Sequence, residues 1–577
     1  MNYQRKNIMT RLKFYAAMFA LFIGLFTAFN QAAYGQAIVN PSFETDNVPP
    51  SPGYGAITGW TGGSGINAAN GPFTDNGKIP DGQKAAFLQG GAALRQTVSG
   101  FTPGVSYRLR YYENRRSATN AANLQVTAGG GAVVPTHEVA AVGGTNPYVL
   151  KVSEPFTATA QALEIAFITS GTGDYTVLLD KIEIGRNLIV TNNNDSGAGS
   201  LRQAMIDAPP GGAISFSDAV RGTIALSEDI RFDKNLTIVG PGADALILSG
   251  GGVKVQFGVM AAAVSGLTIS DGSGIENYGN LTLTDSTVRR NTGRSYFIRY
   301  IPNPNGGDIM QYEIRGGGIL NRGALTVAGS VVSENRAQYG GGIYNQGGVN
   351  QEGIDGGTLI ITNSIVSQNT SERTGGGIYN GTLDLTQTDS DNLYGNVTVN
   401  NSSITGNSAS LIPAEWNTPG ANRFNERAGG GLANEGGILT LTNSTVSGNL
   451  EFIACVGGCL PATGGRGIVN RAADAINPQT VVNLINTTVA DSIYSSGTVN
   501  ARNSIIGSSF NGTLNSQGYN LITNTLNTTI TGDTTGNILN TAARLAPLGF
   551  YGGLTETHAL LTGSPAVNAG NTATSPV

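Results

Sequence analysis

From Gly274 to Asn449 the chain repeats one two-part pattern of apolar and polar positions. The first part is a glycine-led turn into an apolar residue and an asparagine. It reads Gly274-Ile275-Glu276-Asn277, then Gly316-Gly317-Gly318-Ile319-Leu320-Asn321, Gly340-Gly341-Gly342-Ile343-Tyr344-Asn345, Gly375-Gly376-Gly377-Ile378-Tyr379-Asn380 and Gly429-Gly430-Gly431-Leu432-Ala433-Asn434, with a worn copy at Gly467-Ile468-Val469-Asn470. The second part is an alternating strand ending in asparagine: Leu281-Thr282-Leu283 to Asn291, Leu325-Thr326-Val327 to Asn335, Leu359-Ile360-Ile361 to Asn369, Val397-Thr398-Val399 to Asn407 and Leu439-Thr440-Leu441 to Asn449. No single unit of this size can bury its own Ile, Leu and Val. Stacked as parallel strands about 4.8 Å apart, successive units make a continuous interior, so the pattern predicts a β-solenoid. Asparagines recurring at one station can then bond to each other as a ladder. The irregular spacing places loop insertions between constant coils, as at 294–315 and 408–428.

The pattern before residue 186 is different. Val105, Tyr107, Leu109 and Tyr111 alternate with Arg108, Arg110 and Tyr112 after the turn Thr102-Pro103-Gly104, so one face is apolar and the other polar with an aromatic. Further strands are predicted at 85–89, 94–98, 163–169 and 175–184. Short strands between turn signals indicate an antiparallel β-sandwich. Between the two patterns, Leu201, Ala204, Met205 and Ala208 form a narrow helical stripe in the segment 200–208. Ser200 and Gln203 make a capping box at its start, and Pro209-Pro210-Gly211 ends it. Such a helix suits the open end of a coil stack. Either the chain is truncated at its C-terminus, or the apolar segment 543–570 is expected to fold over the last coil as a terminal cap.

At the N-terminus, Arg5, Lys6, Arg11 and Lys13 precede an apolar run from Phe14 to Phe29 and then the small residues Ala32, Ala33, Gly35 and Ala37. This is the order of a secretory signal peptide, expected to occupy residues 1–37. The alternative is an uncleaved anchor, which normally needs about 20 apolar residues. No second run of that kind follows, so no transmembrane helix is expected in the mature chain, which belongs outside the cell or on its surface.

Composition narrows the partners. The chain has 83 glycines and only 12% charged residues, with a net charge of −5. No basic surface exists to neutralise a phosphate backbone, so nucleic acid is excluded as the expected partner. Cys455 and Cys459 flank Val456-Gly457-Gly458 and suit a small disulfide ring in an oxidising compartment; a metal site is the other reading, though no histidine lies nearby. The two histidines, His137 and His558, fall in no catalytic motif. Acids in the solenoid stand singly, apart from Asp389-Ser390-Asp391 in an apparent loop. Neither a Gly-x-Ser-x-Gly elbow nor a lysine-bearing phosphate loop is present.

Two resemblances add to this reading. Asn40-Pro41-Ser42-Phe43-Glu44, Gly59-Trp60, Gly82 to Gln89, Leu94 to Val98 and Leu179-Asp180-Lys181-Ile182 resemble galactose-binding-like jelly-roll modules of carbohydrate-active proteins. In such modules two acids often hold a structural calcium; the positions here are Glu44 and Asp180, which read equally as ordinary surface carboxylates. No cofactor is otherwise required. The C-terminal part, in its Gly-Gly-Gly-Ile and Val-x-x-Asn motifs and its closing Ser564-Pro565-Ala566-Val567-Asn568-Ala569-Gly570, resembles the right-handed parallel β-helix proteins of the pectin-lyase-like fold. Bacterial surface proteins related to the polymorphic outer-membrane proteins are the nearest kind.

The expected fold is therefore all-β: a signal peptide, a β-sandwich over 38–186, and a right-handed parallel β-helix over 187–577 with a short N-terminal capping helix. The expected function is that of an adhesin-like surface protein that binds a polysaccharide or cell-surface glycan through the sandwich, the solenoid serving as stalk or adhesive face. Aromatic faces beside polar donors suit sugars, so Trp60, Arg108, Arg110 and Tyr112 are the candidates; for Trp60, core packing is the competing role. The alternative is a polysaccharide lyase or glycoside hydrolase acting in the solenoid groove, which needs acids distant in sequence to converge on neighbouring coils.

Overall fold

The computed structural model describes residues 38–46, 53–68, 77–116, 119–142, 148–302, 308–347, 357–381, 395–411, 429–453, 466–471 and 480–571. The predicted signal peptide, Cys455, Cys459 and the pair Asp389 and Asp391 lie outside the described residues. The chain separates into two compact units at Ile189/Val190, with Ala204–Ile214 grouped with the first. The division between Gln203 and Ala204 falls inside the helix Leu201–Asp207. The Gln203 amide donates to the Ser200 hydroxyl at 3.2 Å, as the capping box requires, and Leu201, Ala204, Met205 and Ala208 are all buried.

The first unit is an antiparallel sandwich. One sheet runs Gly53–Tyr54, Gly65–Ala68, Lys84–Gln89, Thr176–Val190, Ser106–Arg115 and Val149–Val152, with Phe156–Thr157 also paired to Ser106–Arg115. The other runs Thr61–Gly62, Ala93–Ser99, Ala162–Gly171, Ala122–Ala128 and Gly131–Glu138. Two-residue periodicity builds the core between them: Tyr107, Leu109 and Tyr111 meet Leu94, Val98, Leu124, Val126, Ile165 and Phe167.

The second unit is a parallel β-helix with three in-register ladders. Interior residues stack from coil to coil as Ile275, Ile319, Ile343, Ile378, Leu432 and Ile468 on one ladder. On a second, Val288, Val332, Val366, Ile404, Val446 and Val489 do the same. The corners are ordered by asparagine. Asn277, Asn321, Asn345, Asn380, Asn434 and Asn470 each pass a side-chain hydrogen bond to the next at 2.8–2.9 Å, and a second series runs Asn291, Asn335, Asn369, Asn407 and Asn449. Buried amides must be satisfied, and this arrangement satisfies them only in one register. A further corner station adopts left-handed φ at Asp285, Gly329, Asn363, Asn401, Asn443 and Asn486, a conformation that favours Asn, Asp and Gly. The hairpin Arg294–Pro302 and Asp308–Arg315 fills one predicted insertion and continues into a side sheet of parallel strands, Arg336–Tyr339, Thr370–Thr374, Ser408–Leu411 and Leu450–Ile453. The fold class is thus the all-β one that the sequence predicts.

The terminal segment does something other than close the stack. Bridges between Leu545 and Leu560 and between Gly549 and Thr557 make it a hairpin, and Thr555, Glu556, Thr557 and His558 bond to residues of earlier coils, Asn401, Thr405, Thr445 and Ser447. Thr528–Asp533 on the final coil stays largely exposed. The expected cap over 543–570 is a strap laid along the side of the solenoid, because its polar row finds the outward Ser and Thr stations of those coils.

Candidate functional site

The alternation that buries Tyr107, Leu109 and Tyr111 turns Arg108, Arg110, Tyr112 and Asn114 to the opposite face of their sheet. Neighbouring strands add Asn67, Ala85, Phe87, Leu178 and Asp180 to the same face. A second apolar cluster forms there from Ala85, Phe87, Tyr148 and Leu178, with Ile79 and Tyr112 packed against it. Tyr54 lies edge-on to Phe87, ring centroids 5.1 Å apart, and is itself 65% exposed.

Polar groups cross this face in a fixed order. Arg108 is buried, donating from Nη1 to the Ser153 carbonyl at 2.6 Å and from Nε to the Asn187 side chain at 3.2 Å. Arg110 stands opposite Glu183 in register and pairs with it. Tyr112 stands opposite Asp180, and burial pushes its hydroxyl up to about 12. Asp180 is fully enclosed. Burial raises its carboxyl to about 8, against the pull of backbone N–H groups from Asp81 and Lys181 at 2.8 and 2.7 Å; the nearby charges of Asp81 and Glu44 raise it further. Among the described residues, two buried oxygens on the face have no hydrogen-bond partner: Asn67 Oδ1 and the Tyr148 hydroxyl.

The sequence candidates therefore divide. Arg108, Arg110 and Tyr112 share one face, with Asp180 among them. Trp60 is on the other side of the sheet, in the core, packed against Phe43 and Phe167 with its indole N–H donating to the Asn40 carbonyl at 3.2 Å. Its ring faces are taken up by packing, which is the competing role foreseen for it. Asn67, Tyr148, Tyr54 and Phe87 were not legible as site residues. The one available signal was the unbroken run Ala85-Ala86-Phe87-Leu88, since a strand apolar on both sides has both faces covered.

Glu44 and Asp180 come near enough for Glu44 to act on Asp180. Glu44 Oε1 accepts from the amides of Gln83 and Lys84, each at 2.7 Å, under a glycine whose added Cβ would stand 2.4 Å from the Glu44 carboxyl carbon. Both acids thus serve as acceptors for backbone N–H groups. Among the described residues, no three His, Cys, Asp or Glu are grouped so as to hold a metal ion. Among the described residues, no helix is long and apolar enough to cross a membrane.

The β-helix carries a second set that the sequence left as isolated acids. The Glu276 carboxylate accepts from the hydroxyls of Tyr278 and Tyr296 at 2.5 and 2.6 Å and pairs with Lys254 at 2.8 Å. Burial would raise its carboxyl, but these bonds outweigh it and hold Glu276 below the usual range. Further along, Glu313 and Glu435, from different coils, both act on Tyr339; Glu313 pairs with Arg315 at 3.2 Å and Glu435 with Arg471 at 3.3 Å.

No family model matches the sequence, and no curated protein matches it. Solved structures do match. TmCBM61 in complex with β-1,4-galactotriose is 18% identical over 26% of this chain and 95% of its own, with a TM-score of 0.20. The CBM22-1 xylan-binding domain from Paenibacillus barcinonensis Xyn10C is 14% identical over 25% and 90%, with a TM-score of 0.18. The catalytic unit of the GH87 α-1,3-glucanase from Streptomyces thermodiastaticus strain HF3-3 is 12% identical over 84% and 97%, with a TM-score of 0.29. At this degree of likeness none of them tells what this chain binds or cleaves.

Proposed function

We propose that this is an exported, surface-acting protein that binds a polysaccharide or cell-surface glycan on the Arg110–Tyr112 face of its sandwich. The observation that carries the reading is the pair of partnerless buried oxygens, Asn67 Oδ1 and the Tyr148 hydroxyl, on the face that also holds Tyr112, Asp180 and Phe87. An unsatisfied buried polar group costs about 1–3 kcal/mol. A sugar hydroxyl both donates and accepts, and the apolar side of its ring suits an aromatic surface such as Tyr54. In this reading no cofactor is needed; a calcium ion at Glu44 and Asp180 would be structural. Kinship with the polymorphic outer-membrane proteins, resting on the Gly-Gly-Gly-Ile and Val-x-x-Asn motifs, would make it adhesin-like.

A glycan array probed with the full chain and with Tyr148→Phe tests the proposal. We expect binding that weakens in the variant, and a blank array would remove the claim. A second reading, as a polysaccharide lyase or hydrolase, would draw on acids from separate coils such as Glu313 and Glu435, which both lie near enough to Tyr339 to act on it. New reducing or unsaturated ends after incubation with polysaccharides would support it, and their absence across neutral and acidic substrates would dismiss it.

A further inference from the structure

The strap brings one of the chain's two histidines onto a hydroxyl that the repeat already provides. In the register of the second ladder, Ser333, Ser367, Thr405 and Ser447 occupy one outward station on successive coils. At Thr405 the strap supplies Glu556, 3.2 Å from the hydroxyl; at Ser447 it supplies His558, with Nε2 at 2.8 Å from Oγ. The other ring nitrogen, Nδ1, lies 2.7 Å from the Ala546 carbonyl oxygen. A carbonyl only accepts, so Nδ1 carries the proton, and the neutral ring then presents the Nε2 lone pair to Ser447. This is the tautomer in which an imidazole takes a proton from a serine. Asp491 completes the surroundings. It takes the station that asparagines hold on earlier coils, accepts the amides of Gly448 and Asn449 at 2.8 and 3.0 Å, and lies near enough to His558 for the two to interact.

We propose that Ser447 and His558 are a nucleophile–base pair that transfers the acyl group of a small carboxylic ester. Ser447 Oγ bonds to the ester carbonyl carbon while His558 Nε2 takes the hydroxyl proton. The carbon–oxygen bond to the alcohol breaks, the alkoxide leaves with that proton, and water then releases the acid from the acyl-serine by the same exchange. Asp491 is a positioning residue that holds the backbone following Ser447 by accepting the amides of Gly448 and Asn449. An ester fits better than an amide, because an alkoxide departs with less help from an acid.

The test uses the full chain, a fluorophosphonate probe with peptide mass mapping, and p-nitrophenyl acetate turnover. The expected result is a single adduct on Ser447, absent in Ser447→Ala, and labelling and turnover at least about 100-fold slower in His558→Gln, the usual share of a general base. Melting temperatures of both variants verify that the fold persists. No adduct on the folded wild-type chain, an adduct at another serine, or turnover unchanged in Ser447→Ala would overturn the proposal.

Discussion

Asp180 and Tyr112 face each other in register across adjacent strands of the sandwich, one a buried carboxyl raised to about 8 and the other a half-buried phenol raised to about 12. Burial dominates both shifts, so each group favours its neutral form where it stands.

That relationship sets a pH dependence. Asp180 is raised above its unfolded value of about 4, so between about pH 4 and pH 8 the folded chain holds a proton there that the unfolded chain has lost. Its contribution is full below pH 4 and disappears as pH rises through about 8. Thermal melts across this range should show stability of the sandwich falling with pH, and Asp180→Asn should flatten the slope. A calcium ion on Glu44 and Asp180 would favour the ionised form, so stabilisation by added calcium at neutral pH, lost in Asp180→Asn, would support the metal reading.

Removing the Tyr148 hydroxyl should not destabilise the free protein. Its oxygen has no partner to lose among the described residues, so Tyr148→Phe is expected to leave the melting temperature unchanged or raise it by the equivalent of about 1 kcal/mol. A marked drop would mean that the hydroxyl is bonded in solution.

The asparagine ladder should be far more sensitive than the corners beside it. Asn369 accepts from the Asn335 amide and side chain at 3.0 and 2.9 Å and donates to Asn407 at 2.9 Å. Asn369→Ala strands these groups and should cost about 2–4 kcal/mol. Asn363→Ala affects only the left-handed station and should cost about 1–2 kcal/mol. Local protection in hydrogen exchange is the appropriate measurement, since repeat arrays need not unfold in two states.

Deleting residues 543–577 should leave a folded β-helix. The strap contacts Asn401, Thr405, Thr445 and Ser447 through side-chain groups, and the final coil is already exposed without it. A small fall in melting temperature with no new oligomers is expected; wholesale loss of solubility would mean that the strap also protects the end of the stack.

Much was legible in one dimension. The recurrence of Gly-Gly-Gly-Ile and the asparagines fixed the solenoid, its coil-to-coil register and even its ladders, because each station repeats the same environment and so the same residue. Alternation in 105–112 likewise placed Arg108, Arg110 and Tyr112 on one face. Trp60 could not be assigned that way: a Gly-Trp pair at the edge of a short strand has no periodicity to say which side of the sheet it joins.

Sequence by itself determined the class of each half, because local periodicity dictates which residues of a strand point inward. Tertiary structure alone decided what met across strands and coils: Asp180 with Tyr112, Glu313 and Glu435 about Tyr339, and His558 on Ser447. These partners lie tens to more than a hundred residues apart, and Ser447 looks like every other hydroxyl of its repeat until the strap folds back upon it. Patterning is a property of neighbours along the chain, whereas a site depends on which distant segments a closed fold leaves no choice but to bring together.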